Sequence, residues 1–130
     1  MLGSTGVSRG RIDFGKTGED LACRELERRG YAIVARHYRR RCGELDIVAR
    51  DGRTLVFVEV KTRHGCAFGS PVEAVTAIKR RRITALARDY VAQHRLSAWP
   101  CRFDVVAITF EVGEPTTVEV LQNAFDATSD

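Results

Sequence analysis

From Phe14 onward apolar residues recur at helical spacing, with Leu21, Ala22 and Leu26 on one stripe. Gly30 after Arg28 and Arg29 marks where this first helix ends. Tyr31 to Tyr38 (YAIVARHY) is rich in β-formers and runs into a basic turn, Arg39-Arg40-Arg41. Two further β-forming runs, Glu44 to Ala49 and Thr54 to Thr62, flank Asp51-Gly52, a strong hairpin signal. Ser70-Pro71-Val72-Glu73 then supplies a capping Ser, a Pro at the first helical position and a Glu at the third. This capping box predicts a long helix from there to about His94. Residues 102–109 predict a strand, Gly113-Glu114-Pro115 a turn, and residues 116–121 a short final strand. The order is α-β-β-β-α-β-β. The helix between the third and fourth strands is a crossover that makes them parallel, whereas the hairpins on either side are antiparallel. The expected fold is α/β, a mixed five-stranded sheet flanked by helices. Residues 1–13, rich in Gly, Ser and Thr and without periodicity, read as a flexible tail before a single domain over residues 14–130.

Composition narrows the function classes. A chain of 130 residues with 44% hydrophobic positions can bury one core. No apolar run approaches the ~20 residues of a membrane span, and the first residues lack the apolar stretch of a secretory signal, so a cytoplasmic protein is expected. Cys23, Cys42, Cys66 and Cys101 are widely spaced and read as reduced thiols. His64-Gly65-Cys66 with Cys42 lacks the paired spacing of a zinc site, and His37 and His94 have no partner that the sequence names. The net charge of +4 is unevenly spread: residues 36–82 carry twelve Arg or Lys against five Asp or Glu, and residues 83–130 carry three against seven. A basic block is the footprint of a polyanion such as nucleic acid, although solvated charge gives the same pattern.

The candidate chemistry lies on the Asp51-Gly52 hairpin. With those two residues as the loop, Asp46 faces Phe57 and Glu44 faces Glu59, and Glu44, Asp46, Phe57, Glu59 and Lys61 all project from one side. Asp46 and Glu59 are then diagonal neighbours, roughly 7 Å apart. Two carboxylates so placed suit Mg²⁺ or Mn²⁺, and Lys61 on the same face can orient a water or offset charge on a phosphate. The plainer alternative is a solvated sheet face on which Lys61 pairs with Glu59. Against it, Leu55 to Val60 is apolar on both faces, so the strand is internal, and a buried carboxylate needs a partner or a metal. Glu19 lies toward the buried stripe of the first helix. On the long helix Lys79 falls near the centre of the apolar face of Val72, Val75, Ile83, Leu86 and Tyr90, where it either reaches the site or snorkels, while Arg80, Arg81 and Arg82 fan outward.

Gly43-Glu44-Leu45-Asp46 followed by Val58-Glu59-Val60-Lys61-Thr62-Arg63 resembles the PD-(D/E)xK nuclease motif, with Leu45 where the motif has its Pro. With Gly15-Lys16-Thr17-Gly18-Glu19 before it and Arg102-Phe103-Asp104-Val105-Val106 after it, the pattern resembles the bacterial YraN-like family of predicted endonucleases, distantly similar to archaeal Holliday junction resolvases. The resemblance implies a restriction-endonuclease-like fold. In it Asp46 and Glu59 are metal ligands, the Val60 carbonyl is a further ligand, Lys61 is the catalytic lysine and Glu19 is the helix-borne acid that joins the site. The expected function is a Mg²⁺- or Mn²⁺-dependent nuclease acting on DNA, branched or structured DNA included. Arg39, Arg40, Arg41, Arg63, Lys79, Arg80, Arg81 and Arg82 would serve as nucleic-acid contacts. A junction cutter needs two active sites, which a symmetric homodimer would supply. The alternatives are a catalytically silent nucleic-acid-binding module with the same fold, and a structural protein whose Arg-rich face meets an acidic protein.

Overall fold

The computed structural model describes residues 14–65 and 70–128; the expected N-terminal tail and Cys66 lie outside the described residues. The elements run α1 (Phe14–Arg28), β1 (Ala32–Arg40), β2 (Gly43–Asp51), β3 (Thr54–His64), α2 (Ala77–Gln93), β4 (Cys101–Phe110) and β5 (Thr117–Phe125). The strands form one sheet in the order β1-β2-β3-β4-β5, with β3 and β4 parallel and every other pair antiparallel. This is the expected mixed α/β sheet, and the α2 crossover is what makes its central pair parallel.

The central strands are apolar on both faces because a helix covers each. Leu55, Phe57, Phe103 and Val105 pack with Ile83, Leu86, Ala87 and Tyr90 on the α2 side. Ile47, Ala49, Val56, Val58, Val106 and Ile108 pack with Ala22, Cys23, Leu26 and Tyr31 on the α1 side. Helix α1 stops as the sequence predicts. Gly30 adopts φ +94°, and the Tyr31 N–H reaches back to the Leu26 carbonyl at 3.0 Å while the Gly30 N–H reaches that of Glu27 at 2.9 Å. Such a left-handed stop is strained for any residue but Gly or Asn. Among the described residues no helix is long and apolar enough to cross a membrane.

Two expectations are corrected. The capping box at Ser70 forms, with the Ser70 N–H donating to Glu73 at 3.1 Å and the Val72 N–H to the Ser70 hydroxyl at 3.1 Å, but it opens only one tight turn. Thr76, extended at φ −66° and ψ 165°, interrupts the chain and caps the true start of α2 by accepting from the Lys79 N–H at 3.2 Å. Two Ncap signals six residues apart compete, and the second wins the long helix because it leaves Val75 free to turn into the core. The hairpin register also differs. Asp51 pairs with Thr54 and Ile47 with Val58, so Gly52-Arg53 is the loop and Asp46 is carried from opposite Phe57 to the level of Glu59. A slip of two positions keeps Asp46 level with Glu59, but Leu45 packs with Phe57 in the α2-side core, so Glu44 leaves the face predicted for it.

Candidate functional site

The site lies where the β2–β3 ladder ends. Past the Ile47–Val58 pair the strands no longer exchange backbone hydrogen bonds, and the Asp46 carboxylate takes over, its Oδ2 accepting from the Val60 N–H at 2.8 Å. Asp46 and Glu59 are within hydrogen-bonding reach of each other. Lys79 crosses from α2 to place its ammonium 3.1 Å from Glu59 Oε2. Lys79 therefore reaches the site, and it, rather than Lys61, pairs with Glu59.

Burial sets the electrostatics. The Glu59 side chain is 8% exposed, and burial together with the Asp46 charge pushes its carboxyl up to about 7. Burial also raises Asp46 above the usual carboxylate range. Two such groups in contact take up a proton as a pair, since like charges at that distance disfavour double ionisation. Glu19 is raised too, by burial first and the Asp46 charge second.

Glu44 is held away from Glu59. Its Oε1 accepts from Arg39 Nε at 2.8 Å and its Oε2 lies 2.6 Å from His37 Nδ1, contacts that lower its pKa. The other ring nitrogen of His37 lies 2.8 Å from Glu19 Oε1. The sequence left His37 without a partner, yet the β1–β2 hairpin carried the signal. With Arg40 opposite Gly43 and Tyr38 opposite Leu45, His37 falls level with Asp46.

Lys61 follows Glu59 on the same face, half-buried, and among the described residues no carboxylate pairs with its ammonium. A cleft of about 170 Å³ opens beside the pair, lined by Cys42, Glu44, Asp46, Lys79, Arg82 and Ile83 among others. A larger apolar hollow of about 340 Å³, walled by Phe57, Ala87, Val91 and Phe103, has no carboxylate in its lining and stands apart from this chemistry.

The predicted basic contacts divide in two. Arg40 is paired with Asp89 at 2.7 Å and stacks over Tyr38, and Arg39 is paired with Glu44. Arg80 does not fan outward: its guanidinium turns back to donate to the carbonyls of Val75 at 2.9 Å and Val72 at 3.1 Å, bracing the turn before α2. Arg63 is half-buried on β3. Arg41, Arg81 and Arg82 are exposed, and no described carboxylate pairs with them.

The oxygens of Asp46 and Glu59 are hard donors, of the type divalent cations such as Mg²⁺ and Mn²⁺ take, whereas Glu19 clusters with His37 and Glu44, ligating atoms of the three lying within 4.8 Å of one another. Two carboxyl groups in contact and raised by burial are what such a cation would relieve, so Asp46 and Glu59 fit such an ion.

Comparison with known proteins places this arrangement in a family. The sequence profile of the uncharacterised protein family UPF0102 matches residues 18–108, a stretch that includes Glu19, Asp46, Glu59, Lys61 and Lys79. A UPF0102 protein of Symbiobacterium thermophilum is 48% identical over 113 residues, covering 87% of this chain and 96% of the relative. One of Geobacter metallireducens is 48% identical over 87% of this chain and 92% of its own. One of Anaeromyxobacter dehalogenans is 47% identical over 95% of this chain and 92% of its own. The chain belongs to the UPF0102 family, the YraN-like family that its motifs resemble.

Proposed function

We propose that this protein is a metal-dependent nuclease that hydrolyses phosphodiester bonds of DNA, with branched or structured DNA among its substrates. The observation that carries the reading is the contacting pair of half-buried Asp46 and buried Glu59 at the open end of a strand ladder, beside a cleft whose lining includes Lys79 and Arg82. Asp46 and Glu59 would hold Mg²⁺ or Mn²⁺, with Glu19 and the Val60 carbonyl as further oxygens. Bound there, the ion would supply an activated water and neutralise charge on the phosphate. Lys61, which no carboxylate among the described residues pairs with, would position that water or face the phosphate oxygen on which charge develops. Lys79 and Arg82 would draw the backbone into the cleft, and Arg41 and Arg81 would extend the contact outside it. Resolution of a four-way junction would take two copies, one per strand.

A cleavage assay on linear, single-stranded and four-way-junction DNA, in Mg²⁺, Mn²⁺ or chelator, tests the reading. Metal-dependent cutting is expected from the wild type, and Asp46→Asn and Lys61→Ala are expected to abolish it while retaining DNA binding. The rival reading, a catalytically silent nucleic-acid-binding module, draws on the ion pair of Lys79 with Glu59, which compensates the buried charge without any cation. Tight DNA binding with no cutting in either metal would select it.

A further inference from the structure

His37 stands on β1 with φ +56°, a backbone conformation that non-glycine residues seldom adopt, and its ring lies between two carboxylates from different elements. Nε2 is 2.8 Å from Glu19 Oε1 on α1, and Nδ1 is 2.6 Å from Glu44 Oε2 on β2. Ligating atoms of these three residues fall within 4.8 Å of one another, which is close enough for a metal. The ring nitrogens, however, are each taken up by a different carboxylate on opposite edges of the imidazole. Nδ1 is hydrogen-bonded to Glu44 and Nε2 lies in ion-pair contact with Glu19, so the ring bridges the two carboxylates and does not chelate with them. Arg36 adds to it, with Nη2 3.4 Å from Glu19 Oε1 and 3.0 Å from Asp20 Oδ1. Both contacts to Glu19 fall on Oε1, so Oε2 is the oxygen left to a cation.

Glu19 belongs to a helix on the far face of the sheet from Lys79. We infer that His37 is the positioning residue of the site: braced by Glu44, it holds Glu19 Oε1 so that Oε2 faces the Asp46–Glu59 pair. This deepens the proposed function and rests on its cation site. Partners that orient a ligand in this way carry roughly 10–100-fold in metal affinity.

The test is Mn²⁺ binding to the full chain without DNA, read by the electron paramagnetic resonance of free Mn²⁺, so that no turnover is needed. His37→Ala is expected to weaken binding about tenfold. His37→Asn, which suits the positive φ but is too short to span both carboxylates, is expected to weaken it equally, separating the bridge from backbone strain. In a Glu19→Gln background His37→Ala is expected to change affinity less than twofold, because its effect passes through Glu19. Unchanged or tighter binding by His37→Ala, rescue by His37→Asn, or an equal loss in the Glu19→Gln background would each overturn the positioning role while leaving the cation site intact. Absence of Mn²⁺ binding by the wild type would overturn the cation site, and with it this role.

Discussion

Glu59 shows what a buried carboxyl beside a second acid costs. In the unfolded chain it titrates near its ordinary 4.5, and in the fold near 7. Between those values the folded protein keeps a proton that the unfolded chain has released, so stability falls as pH rises through the window. The whole cost, about 3 kcal/mol for a shift of this size, is present above pH 7. In chelator, Glu59→Gln is therefore expected to be more stable than wild type at pH 8 and equal to it near pH 4.5, as read by urea unfolding at the two pH values. Added Mn²⁺ is expected to reverse the order at pH 8 by stabilising only the wild type. No difference between the two pH values would mean that Lys79, whose side chain is 47% exposed, already offsets the burial. This residue was legible in the sequence because Leu55 to Val60 is apolar on both sides of it. The role of Lys79 was one of two open alternatives, since reaching a site and snorkelling have the same helical periodicity.

At the scale of elements, the positions of α1 and β5 depend on two close contacts. A Cβ at Gly18 would lie 2.6 Å from Thr62 Oγ1, on a stiff β-branched side chain of β3, so only glycine lets α1 approach the sheet here. Gly18→Ala is expected to destabilise by about 1–3 kcal/mol through overpacking, despite the better helix propensity of Ala. It should also weaken Mn²⁺ binding by shifting the adjacent Glu19. Thr62→Ala in the same chain should recover both, and a double-mutant cycle without coupling would refute the contact. At the opposite end of the sheet Asp104, fully buried, accepts from the Tyr31 hydroxyl at 3.0 Å, Arg102 Nε at 2.9 Å and the Asn123 N–H at 2.9 Å. It fills the irregularity where residues 122–124 of β5 bulge between the Phe103–Phe125 and Val105–Leu121 pairs. Asp104→Ala is expected to cost about 3 kcal/mol in denaturant unfolding without affecting metal binding, because it leaves Arg102 and Tyr31 short of their buried acceptor. Element order and the parallel central pair were legible from hydrophobic period and turn residues. The start of α2 was not, because Ser70 and Thr76 both carry Ncap chemistry and only the burial of Val75 decides between them. The β2–β3 register was missed for a related reason: Asp-Gly marks a turn without saying which of its residues closes the last pair.

Across the whole molecule, the basic block of residues 36–82 divides into charge used inside the fold and charge left for a partner. Arg36, Arg39 and Arg40 are neutralised by acidic side chains, and Arg80 braces the turn before α2. Local charge counts could not reveal this, because the acids concerned, Glu19, Asp20, Glu44 and Asp89, come from three different elements. Arg82 remains at the cleft, with Arg81 beside it on α2 and Arg41 exposed outside the lining, while Lys79 is shared between Glu59 and solvent. The basic surface left unpaired among the described residues is therefore smaller than the sequence implies. Each phosphate contact contributes about 0.9 to the slope of log affinity against log salt on duplex DNA. Replacing Arg41, Arg81 and Arg82 together by Ala is expected to make that slope shallower by about 2 to 3, whereas Arg39→Ala or Arg40→Ala should change it by less than one. Filter binding of a linear duplex from 50 to 200 mM salt measures both. If the slope fell equally for Arg40→Ala, the Arg40–Asp89 pair would have to open on binding, and the nucleic-acid face would extend from the cleft over the β1 side of the molecule.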